Sequence, residues 1–130
     1  MALTLDTLAE KAEMDKTGDT LSQLCIDAAY ELQRACKKFP KFPDTLMEGK
    51  IELVRMSLSA ARMRNDAVGG YEATAASVIG EELCEFYEAV LLGDAHAARR
   101  ELVQCIAMLL RAYVHLPHYC RPVKPITYNP

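Results

Sequence analysis

The chain has 130 residues, 51% of them apolar, with 15 basic and 18 acidic residues and a formal net charge of −3. That is the length of one domain, with enough apolar residues to build a core. The acidic balance offers no basic footprint for nucleic acid or an anionic membrane, and no apolar stretch approaches a bilayer span.

No strand-like alternation persists along the chain, and apolar residues recur at helical spacing. The spacing predicts an all-α protein, a bundle of four to five helices in a single domain over residues 1–130. Met1 to Asp6 carries no basic region followed by an apolar run, so no signal peptide is expected. A short first helix is expected over Leu5–Met14, broken at Gly18, with Asp19 or Thr20 capping the next. That second helix runs to about Lys38, with Leu21, Leu24, Cys25, Ala28, Leu32 and Ala35 along one side. Phe39-Pro40-Lys41-Phe42-Pro43 stops it, because proline cannot continue a helix. Asp44 is expected to cap a third helix through Met63, and Gly69-Gly70 to form a flexible joint. A fourth helix spans Thr74–Leu92. Gly93 suits the residue just past a helix and Asp94 the cap of the next, so the fourth and fifth helices form an antiparallel hairpin. The fifth helix, Asp94–Leu116, ends before Pro117. The core covers about residues 19–116, and residues 117–130 are expected to form an extended tail.

The five cysteines, Cys25, Cys36, Cys84, Cys105 and Cys120, include no C-x-x-C pair, and four sit in helical patterns. They read as reduced, mostly buried thiols of a cytoplasmic protein. His96, His115 and His118 stand at no ligand spacing to them, so no zinc site is expected.

The informative segment is Gly80-Glu81-Glu82-Leu83-Cys84-Glu85-Phe86-Tyr87-Glu88. At about 100° per residue, Ile79, Leu83, Phe86 and Val90 define the apolar face, with Glu81, Glu85 and Glu88 opposite. Glu82 lies nearer the apolar face, so Glu82 and Glu85 straddle the edge of the core as repelling i,i+3 neighbours. Glu81 and Glu88 read as a solvated face. The fifth helix is nearly all apolar from Leu102 to Leu116, which predicts burial on every side. Its polar interruptions, Glu101, Gln104 and Arg111, share a stripe. In the hairpin Glu101 and Gln104 can face Glu82 and Glu85, and three carboxylates with an amide oxygen make a hard-cation site. Arg111 by itself reads as an ion-pair partner. Because one hairpin partner cannot cover so apolar a helix, a homodimer or dimer of dimers is expected.

Glu81-Glu82-Leu83-Cys84-Glu85, followed by Glu101-Leu102-Val103-Gln104, resembles the Glu-Glu-x-x-Glu and Glu-x-x-Asp signature of the all-α, MazG-like nucleotide pyrophosphatases. Glu31 to Pro40, the Arg64-Asn65-Asp66 joint and Glu101 to Arg111 also look like that family, over roughly Leu21–His115. Gln104 departs from the pattern, standing where the family has aspartate. The resemblance implies a nucleoside triphosphate substrate and a Mg²⁺ cofactor. Glu82, Glu85 and Glu101 would hold the metal, with Gln104 a marginal ligand. Water, activated by metal or by a carboxylate such as Glu81, would attack the α-phosphorus, releasing nucleoside monophosphate and pyrophosphate. Lys37, Lys38, Lys41 and Arg111 become candidates for phosphate contacts. The family's assembly as dimers or dimers of dimers agrees with the apolar fifth helix. The competing expectation is a non-enzymatic nucleotide-binding or protein-interaction module on the same fold, and Gln104 is its support.

Overall fold

Capping residues and glycines punctuate the chain, and the helices begin and end at most of them. The computed structural model describes residues 4–67 and 72–122. Among these there is no strand, and five helices follow in order: α1 (Leu5–Lys38), α2 (Ile51–Asn65), α3 (Ala75–Leu91), α4 (Ala95–Val114) and α5 (Leu116–Tyr119). The chain is an all-α helical bundle. No described helix is long and apolar enough to cross a membrane. The Gly69-Gly70 joint and the tail from residue 123 lie outside the described residues.

Three boundaries differ from the sequence expectation. The first two predicted helices are one helix of 34 residues, α1, about 51 Å long. Gly18 lies inside it, where it weakens the helix by up to about 1 kcal/mol relative to alanine without ending it. Neighbouring threonines turn their hydroxyls back onto the helix instead of capping a new one. Thr17 donates to the Glu13 carbonyl (2.8 Å) and Thr20 to the Thr17 carbonyl (2.9 Å). Asp44 does not start the next helix: the chain stays irregular until Lys50, because Gly49 sits at φ 139, incompatible with helix. Beyond α4, His118 and Tyr119 belong to the short α5. Pro117 is tolerated in its first turn, where its missing N–H has no helical partner to lose.

The α3–α4 hairpin forms as expected. Thr74 caps α3 reciprocally with Ser77, Ser77 N–H donating to Thr74 Oγ1 (3.0 Å) and Thr74 N–H to Ser77 Oγ (2.8 Å). Asn65, at the end of α2, accepts from Ser77 Oγ (2.7 Å) and so ties α2 to this cap. Gly93 adopts φ 74, the left-handed conformation that glycine takes without steric penalty. Asp94 then caps α4 by accepting from Ala97 N–H (3.0 Å).

In packing order, α3 lies between α2 and α4, and α1 rests against α4. Only six described residues are buried: Val54 and Leu58 of α2, Ala89 of α3, and Ala98, Cys105 and Val114 of α4. Leu58 is the most enclosed, 2% exposed. The expectation that α4 is buried all round is therefore not met within one chain. Its inner side meets α3, while Leu102, Val103, Ile106, Leu109 and Tyr113 stay exposed. The cysteines divide in the same way: Cys105 is buried and Cys84 half-buried, but Cys25, Cys36 and Cys120 are exposed.

Candidate metal centre

The hairpin register decides which polar groups meet. Glu85 and Glu101 stand at equal distances in sequence on either side of Gly93, and so do Glu82 and Gln104. Folding the chain back at Gly93 brings each pair together between α3 and α4. Glu82, Glu85 and Glu101 each offer one carboxylate oxygen, and the three oxygens lie within 4.8 Å of one another. All three residues are half-buried. Gln104 closes the group. In the amide orientation that satisfies its neighbours, its Nε2 donates to Glu101 Oε2 (2.9 Å) and Glu82 Oε2 (3.0 Å).

Three acids at this spacing cannot all ionise without penalty. Burial pushes the Glu82 carboxyl above the ordinary carboxylate range, and the charges of Glu85 and Glu81 push it further. Burial raises Glu101 as well, followed by its hydrogen bond to Glu85 and the charges of Glu85 and Glu82, with Arg100 opposing. The nearby thiols respond to the same surroundings. Burial first, then the neighbouring acids, raise Cys84 and Cys105, so both remain protonated and unreactive near neutral pH.

The outer acids are not a solvated face, as the sequence pattern suggested, because α2 lies over them. Arg62 reaches Glu85 (3.1 Å) and Glu81 (3.8 Å), and Arg55 reaches Glu88 (3.0 Å). Arg55 and Arg62 have the same spacing along α2 as Glu81 and Glu88 along α3. That matched spacing is the signal in the sequence that would have paired the two helices antiparallel and identified these arginines. Arg62 and Arg100 flank a cleft of about 300 Å³ beside Glu85 and Glu101, with Ala89 and Ala97 among its lining residues.

The basic residues singled out from the sequence lie elsewhere. Arg111 pairs with Glu13 of α1 (3.4 Å), next to His115, whose Nε2 is 3.0 Å from the same carboxylate. This matches its reading as an ion-pair partner. Lys37 and Lys38 end α1 and Lys41 follows in the irregular segment, all exposed. Among the described residues no ion pair or hydrogen bond joins them to the acidic trio, and none of them lines the cleft beside Glu85 and Glu101.

The donor set suits a hard divalent cation: three carboxylates, a reversible amide, and raised protonation that a cation would relieve. Comparison with protein-family models, curated proteins and solved structures returns no match to this chain.

Proposed function

We propose that the chain is a Mg²⁺-dependent nucleoside triphosphate pyrophosphohydrolase of the MazG-like type, releasing nucleoside monophosphate and pyrophosphate. The observation that carries this reading is the convergence of Glu82, Glu85 and Glu101 within 4.8 Å across the α3–α4 hairpin. A bound Mg²⁺ would supply neutralisation of the triphosphate and of the charge that develops at the α-phosphorus. Glu82 and Glu85 from α3 and Glu101 from α4 would hold it, all on helices joined by one tight turn. Gln104 is bistable by chemistry: its N–H groups satisfy the carboxylates without a cation, and its oxygen faces one after an amide flip. Glu81, ion-paired with Arg62 (3.8 Å), would be the carboxylate that accepts the proton from water. Arg62 and Arg100, which pair with Glu85 and Glu101 and flank the adjacent cleft, would turn to phosphate once a cation neutralises those acids. Lys37, Lys38 and Lys41 have no part in this reading, and Arg111 is engaged with Glu13. The reading includes self-association as a homodimer or dimer of dimers.

One feature favours a non-enzymatic nucleotide-binding or protein-interaction module instead. Gln104 and Arg62 already satisfy the acids, so the cluster stands without a cation.

The two readings separate in one experiment. Pyrophosphate release is measured over the common ribo- and deoxyribonucleoside triphosphates, with and without Mg²⁺, alongside thermal melting. The enzyme reading expects Mg²⁺-dependent release and a melting temperature raised by Mg²⁺. Glu82→Gln and Glu85→Gln should each lower the rate by about a hundredfold or more, because a charged ligand is lost. Without metal, the stability of Glu82→Gln should hold or rise, because a repulsive charge has gone. Absence of both stabilisation and release would leave the binding module standing.

A further inference from the structure

Arg62 stands between the acidic trio and the cleft beside it. Its Nη2 donates to Glu85 Oε1 (3.1 Å), and its Nε lies 3.8 Å from Glu81. Its side chain is 50% exposed, against 22% and 23% for those of Glu81 and Glu85. Glu85 is thus shared: it belongs to the trio gathered within 4.8 Å, and it also receives the arginine.

The backbone beneath Arg62 is anchored on both sides. Leu58, one turn earlier, is 2% exposed. Asn65, one turn later, is tied to α3: its Nδ2 donates to the Ser77 carbonyl (3.1 Å), and its Oδ1 accepts from Ser77 Oγ (2.7 Å). Between these anchors the guanidinium is held, among the described residues, only by the two acids. The same side chain lines the cleft of about 300 Å³, opposite Arg100. It can therefore exchange a carboxylate for another anion in the cleft without a shift of α2.

Sharing Glu85 sets the sign of the effect. A divalent cation on this carboxylate would lie beside the guanidinium, and like charges that close repel. With the cleft empty, Arg62 opposes the cation. A polyphosphate in the cleft offers the guanidinium a bidentate acceptor and places negative charge between the two cations. The opposition is then relieved, and by linkage each ligand tightens the other by the same factor.

Resting on the reading of Glu82, Glu85 and Glu101 as Mg²⁺ ligands, we infer that Arg62 couples the two ligands of this site: it opposes Mg²⁺ alone and admits it together with a polyphosphate. Free Mg²⁺ binds weakly, and the cation is retained only while the cleft is filled. Arg55 lies on the same stripe of α2 but meets Glu88 (3.0 Å), outside the trio, and has no such role.

Calorimetry of the full chain tests this with Mg²⁺ alone, and with inorganic pyrophosphate at one fixed free Mg²⁺ concentration, so that complexation in solution is the same for every variant. Arg62→Gln should bind Mg²⁺ alone about threefold to fivefold more tightly, the weight of a half-exposed ion pair. It should bind pyrophosphate about tenfold more weakly, for loss of the charged fork. Opposite changes from one substitution are the signature, since a merely structural role weakens both. Arg62→Lys, the milder change, keeps the charge without the fork: Mg²⁺ alone should bind as in wild type, and pyrophosphate about threefold more weakly. Arg55→Gln should change neither affinity. A parallel loss of both affinities in Arg62→Gln, or an unchanged affinity for Mg²⁺ alone, overturns the coupling and leaves the metal site standing. Independent binding of Mg²⁺ and pyrophosphate in the wild type overturns it whether or not the variants fold. No Mg²⁺ binding by wild type or Arg62→Gln, with or without pyrophosphate, overturns the metal reading and the coupling with it.

Discussion

At the scale of single residues, Gln104 decides how the acidic group behaves without a metal. Its amide donates to Glu82 and Glu101, offsetting part of their repulsion. Gln104→Asp removes that donor and adds a fourth carboxylate. The variant should melt lower than wild type at pH 7 without metal, bind Mg²⁺ more tightly, and keep equal or higher activity; calorimetry and melting check it. Unchanged stability without metal would mean that Gln104 does not bridge the acids. The protonation shifts give a second expectation. Glu82 and Glu101 are raised when folded, so they contribute stability that is complete below the ordinary carboxylate value of 4.5 and is lost as pH rises through their folded values. Glu13 is lowered, first by its hydrogen bond to His115. Its contribution is present above 4.5 and is lost as pH falls through its folded value. Acidification from pH 7 therefore relaxes the α3–α4 site while weakening the α1 tether. Stabilisation by Mg²⁺ should shrink steadily toward pH 5, as protons take the place of the cation. A Mg²⁺ effect equal at pH 5 and pH 8 would place the bound cation elsewhere.

At the scale of elements, what could be read from the sequence depended on whether the local signal had a competitor. Gly93-Asp94 had none. A left-handed glycine followed at once by a cap leaves only a tight hairpin, and this brings Glu82, Glu85, Glu101 and Gln104 together. Gly18 was ambiguous, since a glycine costs a helix little, and α1 runs through it. The start of α2 was hidden because Asp44 offered a cap that Gly49, with its positive φ, overrides. The part played by Arg62 is not legible along α3 alone, because it depends on α2 lying over Glu81 and Glu85. The two glycines give opposite predictions. Gly93→Ala forces a side chain into φ 74 and should destabilise by about 1–2 kcal/mol. Gly18→Ala meets nothing within 4 Å in a helical backbone and should stabilise by about 0.4–1 kcal/mol. Chemical denaturation of both variants checks the signs. A destabilising Gly18→Ala would mean that α1 bends or breaks there after all.

At the scale of the whole molecule, the site and the exposed apolar residues lie on different parts of the chain. The candidate ligands lie within one α3–α4 hairpin, so the response to Mg²⁺ proposed for them would belong to the single chain. The apolar residues of α1 beyond Ser22 and the outer stripe of α4 stay exposed within one chain; in the proposed self-association they would be covered, and their contribution would follow mass action. Melting should therefore depend on protein concentration and on Mg²⁺ in separable ways. For a two-chain unfolding of this size, each tenfold increase in concentration should raise the melting temperature by about 3 °C. Leu32→Glu should flatten that dependence while leaving the Mg²⁺ increment intact, because Leu32 touches neither the acids nor their arginines. Glu85→Gln should do the reverse, removing the Mg²⁺ increment and keeping the concentration dependence. Hydrogen exchange locates the first effect: on dilution, amides of residues 22–38 should lose protection before those of α3, since among the described residues all of them but Leu24 are exposed. Concentration-independent melting, with residues 22–38 protected at every dilution, would show that one chain covers its own apolar surface. The long arm of α1 would then have to fold back onto α4.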